Sequence, residues 1–274
     1  MDRSAFVPYD SSLTHFDKSG VQLVQTTTVK ILWRLFSILF LDLLIGFFLT
    51  FFILGTKCNN SNGKCSKCAR VLDSMPGRWF LLHALCNAVI VLGTIEDFKR
   101  TIDNPNIACS RDSEYNLAPT YLSMALHLYH CIAPWYRKKL TYQDIMHHFV
   151  FAICGLGYMS LAWSWGPGAN FAFFFLTGFP GGVDYFMLGM VKLNFMDRMM
   201  EKKINTIINA WCRGPGCVIA AAWTYSNYVQ GIMDPPFGVV MLQMILLVFN
   251  GQYYATRIAL NYQKVKTTKE LSSK

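Results

Sequence analysis

Of 274 residues, 53% are hydrophobic and only 15% are charged; mean hydropathy is +0.28 and the net charge is +9. A water-soluble domain carries about 25% charged residues, so the composition rules out disorder, argues against an ordinary cytosolic enzyme and points to a polytopic membrane protein. The Lys and Arg excess suits anionic lipid headgroups. Nucleic-acid binding is set aside, because no basic stripe with interleaved aromatics stands outside the apolar stretches.

In chain order, residues 1–30 read as a polar N-terminal segment with no cleavable signal peptide, since the apolar run that follows is too long for one. Seven apolar segments follow, at about 31–55, 79–95, 117–136, 145–163, 168–192, 206–231 and 236–260. At about 20 residues per crossing, each is long enough to span as a helix, which satisfies its own backbone in lipid. The predicted architecture is therefore all-α, a bundle of about seven transmembrane helices. The fifth segment is interrupted by Phe179-Pro180-Gly181-Gly182 and the sixth by Arg213-Gly214-Pro215-Gly216, which predicts a kinked or partly interfacial sixth helix. Trp33, Trp79, Trp135 and Trp163 mark segment ends, where an indole finds both an apolar and a polar environment. A basic tail, 261–274, closes the chain.

Counting Lys and Arg beside the seven segments puts six on the N-terminal side and seventeen on the other. The positive-inside rule then predicts a luminal or outside N-terminus and a cytosolic C-terminus. Nine cysteines are scattered. Cys86, Cys131 and Cys154 lie in apolar runs and are expected to be reduced and packed. The first loop carries Cys58, Cys65 and Cys68, three sulfurs at metal-ligand spacing without an evident fourth ligand, and the sequon Asn59-Asn60-Ser61. With that loop in the cytosol, free thiols and no glycan are expected.

The informative residues are polar ones inside the apolar segments, because ionisable groups in hydrocarbon are costly and a function is the default explanation. Five of the six histidines fall there: His83, His127, His130, His147 and His148. At 1.5 Å of rise per residue, His147 and His148 lie roughly 12 Å from the cytosolic flank, His127 and His130 about 10–15 Å, Asp184 roughly 12 Å and Asn250 about 10 Å. Four segments running in alternating directions thus place polar groups in one slab. His127 and His130 share a helix face, and Asp144, three and four residues before His147 and His148, is expected to reach either ring. These groups read either as packed polar contacts between helices or as a site. His127-Leu128-Tyr129-His130 and His147-His148 evoke the histidine boxes of diiron oxygenases, but six histidines are too few, and no metal is assigned. No Gly-rich nucleotide fingerprint follows a strand.

Tyr142-Gln143-Asp144-Ile145-Met146-His147-His148, then Asp184-Tyr185-Phe186-Met187-Leu188, then Lys192-Leu193-Asn194-Phe195, resemble the TLC domain family, which includes the ceramide synthases. The resemblance covers roughly 79–260, a six-helix unit preceded by the first helix and the Cys-containing loop at 31–78. Ceramide synthases carry a His-Asp pair upstream of the second aspartate, where this chain has Pro180-Gly181, so the sequence is closer to the non-ceramide-synthase members. The resemblance implies endoplasmic reticulum residence and acyl transfer from acyl-CoA, as co-substrate, to an amine or alcohol of a membrane lipid. His147 or His148 would be nucleophile or general base, with Asp144 or Asp184 orienting it. His127, His130, Tyr185, Lys192, Asn194 and Asn250 would line the lipid cavity. No other cofactor is implied. The alternative is a non-enzymatic protein that binds, senses or traffics lipid with the same cavity.

Overall fold

The computed structural model describes residues 18–55, 75–133 and 140–272. The Cys58, Cys65 and Cys68 loop with its sequon, and the basic run at 137–139, lie outside those residues. Among the described residues the chain forms seven helices and no strand. They are α1 (Lys18–Gly55), α2 (Met75–Asp103), α3 (Ala118–Ile132), α4 (142–162), α5 (Gly168–Lys192), α6 (198–229) and α7 (Phe237–Ser272), with a short 3₁₀ turn at Pro105–Ile107. Two expectations change here. Residues 18–30 belong to α1 rather than to a separate polar segment, and the basic tail continues α7 to Ser272.

Four stretches are long and apolar enough to cross a membrane: Thr26–Phe51, Gly77–Asp103, Gly168–Lys192 and Phe237–Thr268. Their side-chain pattern is the reverse of a water-soluble protein. On α1, Trp33, Phe36, Phe40, Phe47 and Phe51 follow helical spacing and stand exposed, whereas Ile38 faces inward with Leu82, Cys86, Leu126 and Tyr129. Polar groups that soluble proteins expose are buried instead, among them Asp42, Asn87, Asp97, Glu201, Asn209 and Arg213. The four helices, the outward apolar surface and the polar interior together make this a membrane protein. Cys86, Cys131 and Cys154 are unbridged as expected, but Cys154 is exposed on the outer surface rather than packed.

Local chemistry places the helix ends. Pro76 occupies the first turn of α2, where its missing N–H costs nothing. Asp197 caps α6 by accepting from the Met199 and Met200 amides at 2.9 and 3.2 Å. Between α4 and α5 the chain turns at Gly166, φ +58°, where a Cβ would meet the Ala108 carbonyl oxygen at 2.8 Å. The Gly168 amide then donates to that oxygen at 2.7 Å. On the same end, Asp97 of α2 accepts from the Asn116 amide, the Asn170 side chain and Arg100, tying α2, the 104–117 loop and α5 together. Burial of Cys109 in that loop pushes its thiol up to about 12.

The two expected interruptions do not break their helices. A proline in mid-helix lacks an N–H and clashes with the carbonyl four residues earlier. Before Pro180 the helix widens into a π turn, Phe174–Gly178, and before Pro215 into another, Asn209–Arg213. Each π turn contains the obstructing carbonyl, that of Leu176 or of Trp211, and the wider turn steps it aside. α5 and α6 therefore run through as continuous helices. Where they cross, α6 presents Gly216 to the Phe175 ring, whose nearest atom would lie 2.1 Å from an added Cβ. Gly216→Ala is expected to destabilise the protein by about 1–3 kcal/mol through overpacking; a lowered melting temperature in detergent checks it.

Candidate functional site

The histidines of α3 and α4 meet. His127 Nδ1 lies 2.7 Å from the Ser123 carbonyl oxygen and donates to it, which leaves Nε2 with a free lone pair. α4 begins with a reciprocal cap: the Asp144 carboxylate accepts from the Thr141 amide and hydroxyl at 2.8 and 2.7 Å, and Thr141 Oγ1 accepts from the Asp144 amide at 3.3 Å. The helix then passes into a π-helical stretch, Met146–Gly157, which starts one residue before His147. Ring centroids are 4.2 Å apart for His130 and His148, 5.1 Å for His127 and His148 and for His147 and His148, and 5.8 Å for His127 and His147. His83 of α2 extends the cluster, 6.1 Å from His130, and Trp79 packs 3.8 Å from both. His147 Nδ1 is 3.4 Å from the Tyr254 hydroxyl of α7. His148 is 5% exposed, and its buried Nδ1 has no hydrogen-bond partner among the described residues.

The cluster borders two chambers with a shared wall. The inner chamber, about 100 Å³, is lined by His83, His127, His147, Asp184, Tyr185 and Arg213 among others. The outer chamber, about 630 Å³, is lined by His130, His147, His148, Asp184 and Tyr185, with Lys202, Arg257 and Asn261 toward its mouth. Asn250 and Tyr254 line both. The mouth is at the end of the bundle where α2, α4 and α6 begin.

No protein-family profile, curated protein or solved structure matches the chain.

Of the residues singled out from sequence, His127, His130, His147, His148, Asp184, Tyr185 and Asn250 line one or both of these adjoining chambers. Three are placed otherwise than expected. Asp144 borders the outer chamber, but its carboxylate is engaged by Thr141 and makes no hydrogen bond to His147 or His148. The capping pattern Thr141-x-x-Asp144 was readable in the sequence, and it outcompetes the imidazoles because the backbone donors of a first turn need an acceptor. Lys192 and Asn194 are exposed at the C-terminal end of α5 and line neither chamber. Asn194 adopts φ 63°, a left-handed residue that ends the helix, and Lys192 places a cation at the helix C-terminus.

Sequence reasoning passed over a polar ladder on α6. Glu201, Asn205, Asn209 and Arg213 recur every fourth residue and form one buried stripe. Its hydrogen bonds run in one direction. Arg213 Nη1 donates to Asn209 Oδ1 at 2.8 Å, Asn209 Nδ2 to Asn205 Oδ1 at 2.6 Å, and Asn205 Nδ2 to Asp184 Oδ1 at 2.5 Å. Lys202 forms an ion pair with Glu201 at 3.0 Å. The four-residue period was the available signal, hidden because it straddles the start of the sixth apolar segment.

The site can therefore offer imidazoles as bases or nucleophiles, a carboxylate fixed by an amide, and a cation at the chamber wall. One nitrogen each from His127, His147 and His148 also lies within 4.8 Å of the others, so this trio is where the protein could hold a metal ion.

Proposed function

We propose that this chain is a multi-pass protein of the TLC type, with all seven helices crossing the membrane of the endoplasmic reticulum, a luminal N-terminus and a cytosolic C-terminus. It takes a membrane lipid and an acyl-CoA into the histidine-lined chambers and transfers the acyl group to the lipid's amine or hydroxyl. The observation that carries this reading is the meeting of four imidazoles from α3 and α4, three of which line, beside Asp184, a chamber of about 630 Å³. That volume lies within the range of pockets for small organic ligands. The Lys and Arg asymmetry supports the orientation, and it puts the mouth of the outer chamber on the cytosolic side, where acyl-CoA is found.

In this reaction a lone pair of His147 or His148 attacks the thioester carbonyl. The C–S bond breaks, and the CoA thiolate leaves with the proton shed by the other ring nitrogen. The lipid amine or hydroxyl then attacks the acyl-imidazole, and its proton returns to the ring as the histidine is released. An imidazole suits both steps because it is a nucleophile and a proton acceptor near neutrality. Arg257, which lines the outer chamber, would meet the CoA phosphates.

One observation favours a second reading, a lipid-binding or lipid-sensing protein without turnover. Asp144 is held by Thr141 and Asp184 by Asn205, so neither carboxylate orients His147 or His148 as a triad member would. Purified protein supplied with palmitoyl-CoA and a sphingoid base separates the two readings. Amide formation supports the transferase, and lipid that copurifies without product supports binding alone.

A further inference from the structure

Arg213 has no role in the acyl-transfer scheme, yet it is a charged residue in the wall of the inner chamber. It is 6% exposed in the interior of the bundle. A guanidinium carries five N–H donors and no acceptor. Here one donor reaches Asn209, the planar face lies 5.2 Å from the Tyr254 ring centroid, and the buried Nε has no partner. Among the described residues no carboxylate lies within ion-pair distance of it. Asp184 is reached only through two amides, so the ladder on α6 positions the guanidinium without neutralising it directly. A buried cation with unspent donors is costly in a low-dielectric interior unless something supplies acceptors.

The wall beside it is cut away. Gly181 lines the inner chamber, and an added Cβ there would lie 3.5 Å from Arg213 Nη2 and 2.9 Å from Asn87 Nδ2. Asn87 is 1% exposed, and its Nδ2 is a second buried donor without an acceptor. Its own carbonyl oxygen accepts from Thr177, which fixes the amide with the nitrogen toward Gly181. Asn87 Nδ2 of α2 and Arg213 Nη2 of α6 thus both lie near the bare Cα of Gly181 on α5, and of these residues Gly181 and Arg213 line the inner chamber.

We infer that the inner chamber is an oxyanion site, in which Arg213 receives the carboxylate or phosphate group of a ligand whose hydrocarbon chain lies in the outer chamber. The inference rests on the lipid-cavity reading above, and names the headgroup chemistry that cavity selects. Lysine would serve less well than arginine, because a carboxylate or phosphate matches the planar fork in two parallel hydrogen bonds.

The test uses the full chain in a non-ionic detergent, with equilibrium binding of oleate, oleyl alcohol and inorganic phosphate. Wild type is expected to bind oleate at least about tenfold tighter than oleyl alcohol, the scale of one hydrogen-bonded charge. Arg213→Gln is expected to lose that preference and keep the affinity for the alcohol. Arg213→Lys keeps the charge and guards against a folding defect; it should retain the alcohol and bind oleate several-fold more weakly. If phosphate alone binds in an Arg213-dependent way and oleate shows no preference, the oxyanion site stands with a soluble anion as its source. If oleate and the alcohol bind alike and phosphate does not bind, the oxyanion site is wrong and the lipid cavity survives. If no lipid binds, the cavity reading fails as well.

Discussion

Replacing His148 by alanine is expected to lower acyl transfer at least about 1000-fold, within the range associated with losing a positioned base or nucleophile. His148 sits at the centre of the cluster, with ring centroids 4.2 Å from His130 and 5.1 Å from both His127 and His147. Among the described residues its Nδ1 has no hydrogen-bond partner, whereas His127 Nδ1 is committed to the Ser123 carbonyl. The deletion removes an imidazole that lines the outer chamber and leaves the chamber's other walls in place. Product formation is read by mass spectrometry of the N-acyl lipid, and His148→Gln, which restores bulk, separates chemistry from packing. His147→Ala makes the comparison. Should it abolish turnover while His148→Ala keeps it, the nucleophile is His147. Wild-type rates in both variants would show that neither imidazole carries the transfer, and absence of product from the wild type would remove acyl transfer itself.

Arg78→Met is expected to destabilise the bundle by about 3–5 kcal/mol, the cost of leaving a buried carboxylate without its cation. Asp42, 0% exposed on α1, receives both prongs of the Arg78 guanidinium, Nε at 2.7 Å and Nη2 at 2.8 Å. The Tyr129 hydroxyl of α3 donates to the same carboxylate at 2.7 Å. Gly46, one turn after Asp42, makes room for the guanidinium; an added Cβ there would lie 2.6 Å from Arg78 Nη1. Three helices meet at this one carboxylate, so its loss loosens α1 from the rest. The paired change Asp42→Leu with Arg78→Met is expected to recover most of the stability, since replacing both members of a buried pair by apolar groups is often neutral. Melting in detergent, followed by circular dichroism, reads both. An Arg78→Met protein that melts with wild type would show that the pair does not hold α1.

The α1 contacts also bear on chain organisation. The sequence resemblance sets 31–78 apart from a six-helix unit beginning at residue 79, yet Ile38 shares a core with Leu82, Cys86, Leu126 and Tyr129, and Asp42 is bonded across it. Its first helix packs into the bundle, although its outer face is covered with exposed phenylalanines.

By itself the sequence determined that the chain is built of long apolar helices and how far along its helix each polar side chain stands. Depth follows from counting residues along a helix, because the rise per residue changes little with surroundings. For that reason His127, His130, His147, His148, Asp184 and Asn250 could be assigned to one slab without coordinates. Tertiary structure alone decided direction around each helix axis. Three π turns shift the angular register, each at a place where the site is built: before His147, before Gly181 and at Arg213. Competition for acceptors decided the rest. Thr141 claimed Asp144, the end of α5 claimed Asn194, and the ladder from Glu201 to Arg213 claimed Asp184 through Asn205. Those outcomes depend on which donors lie within about 3 Å once helices pack, a quantity that spacing along one chain does not contain.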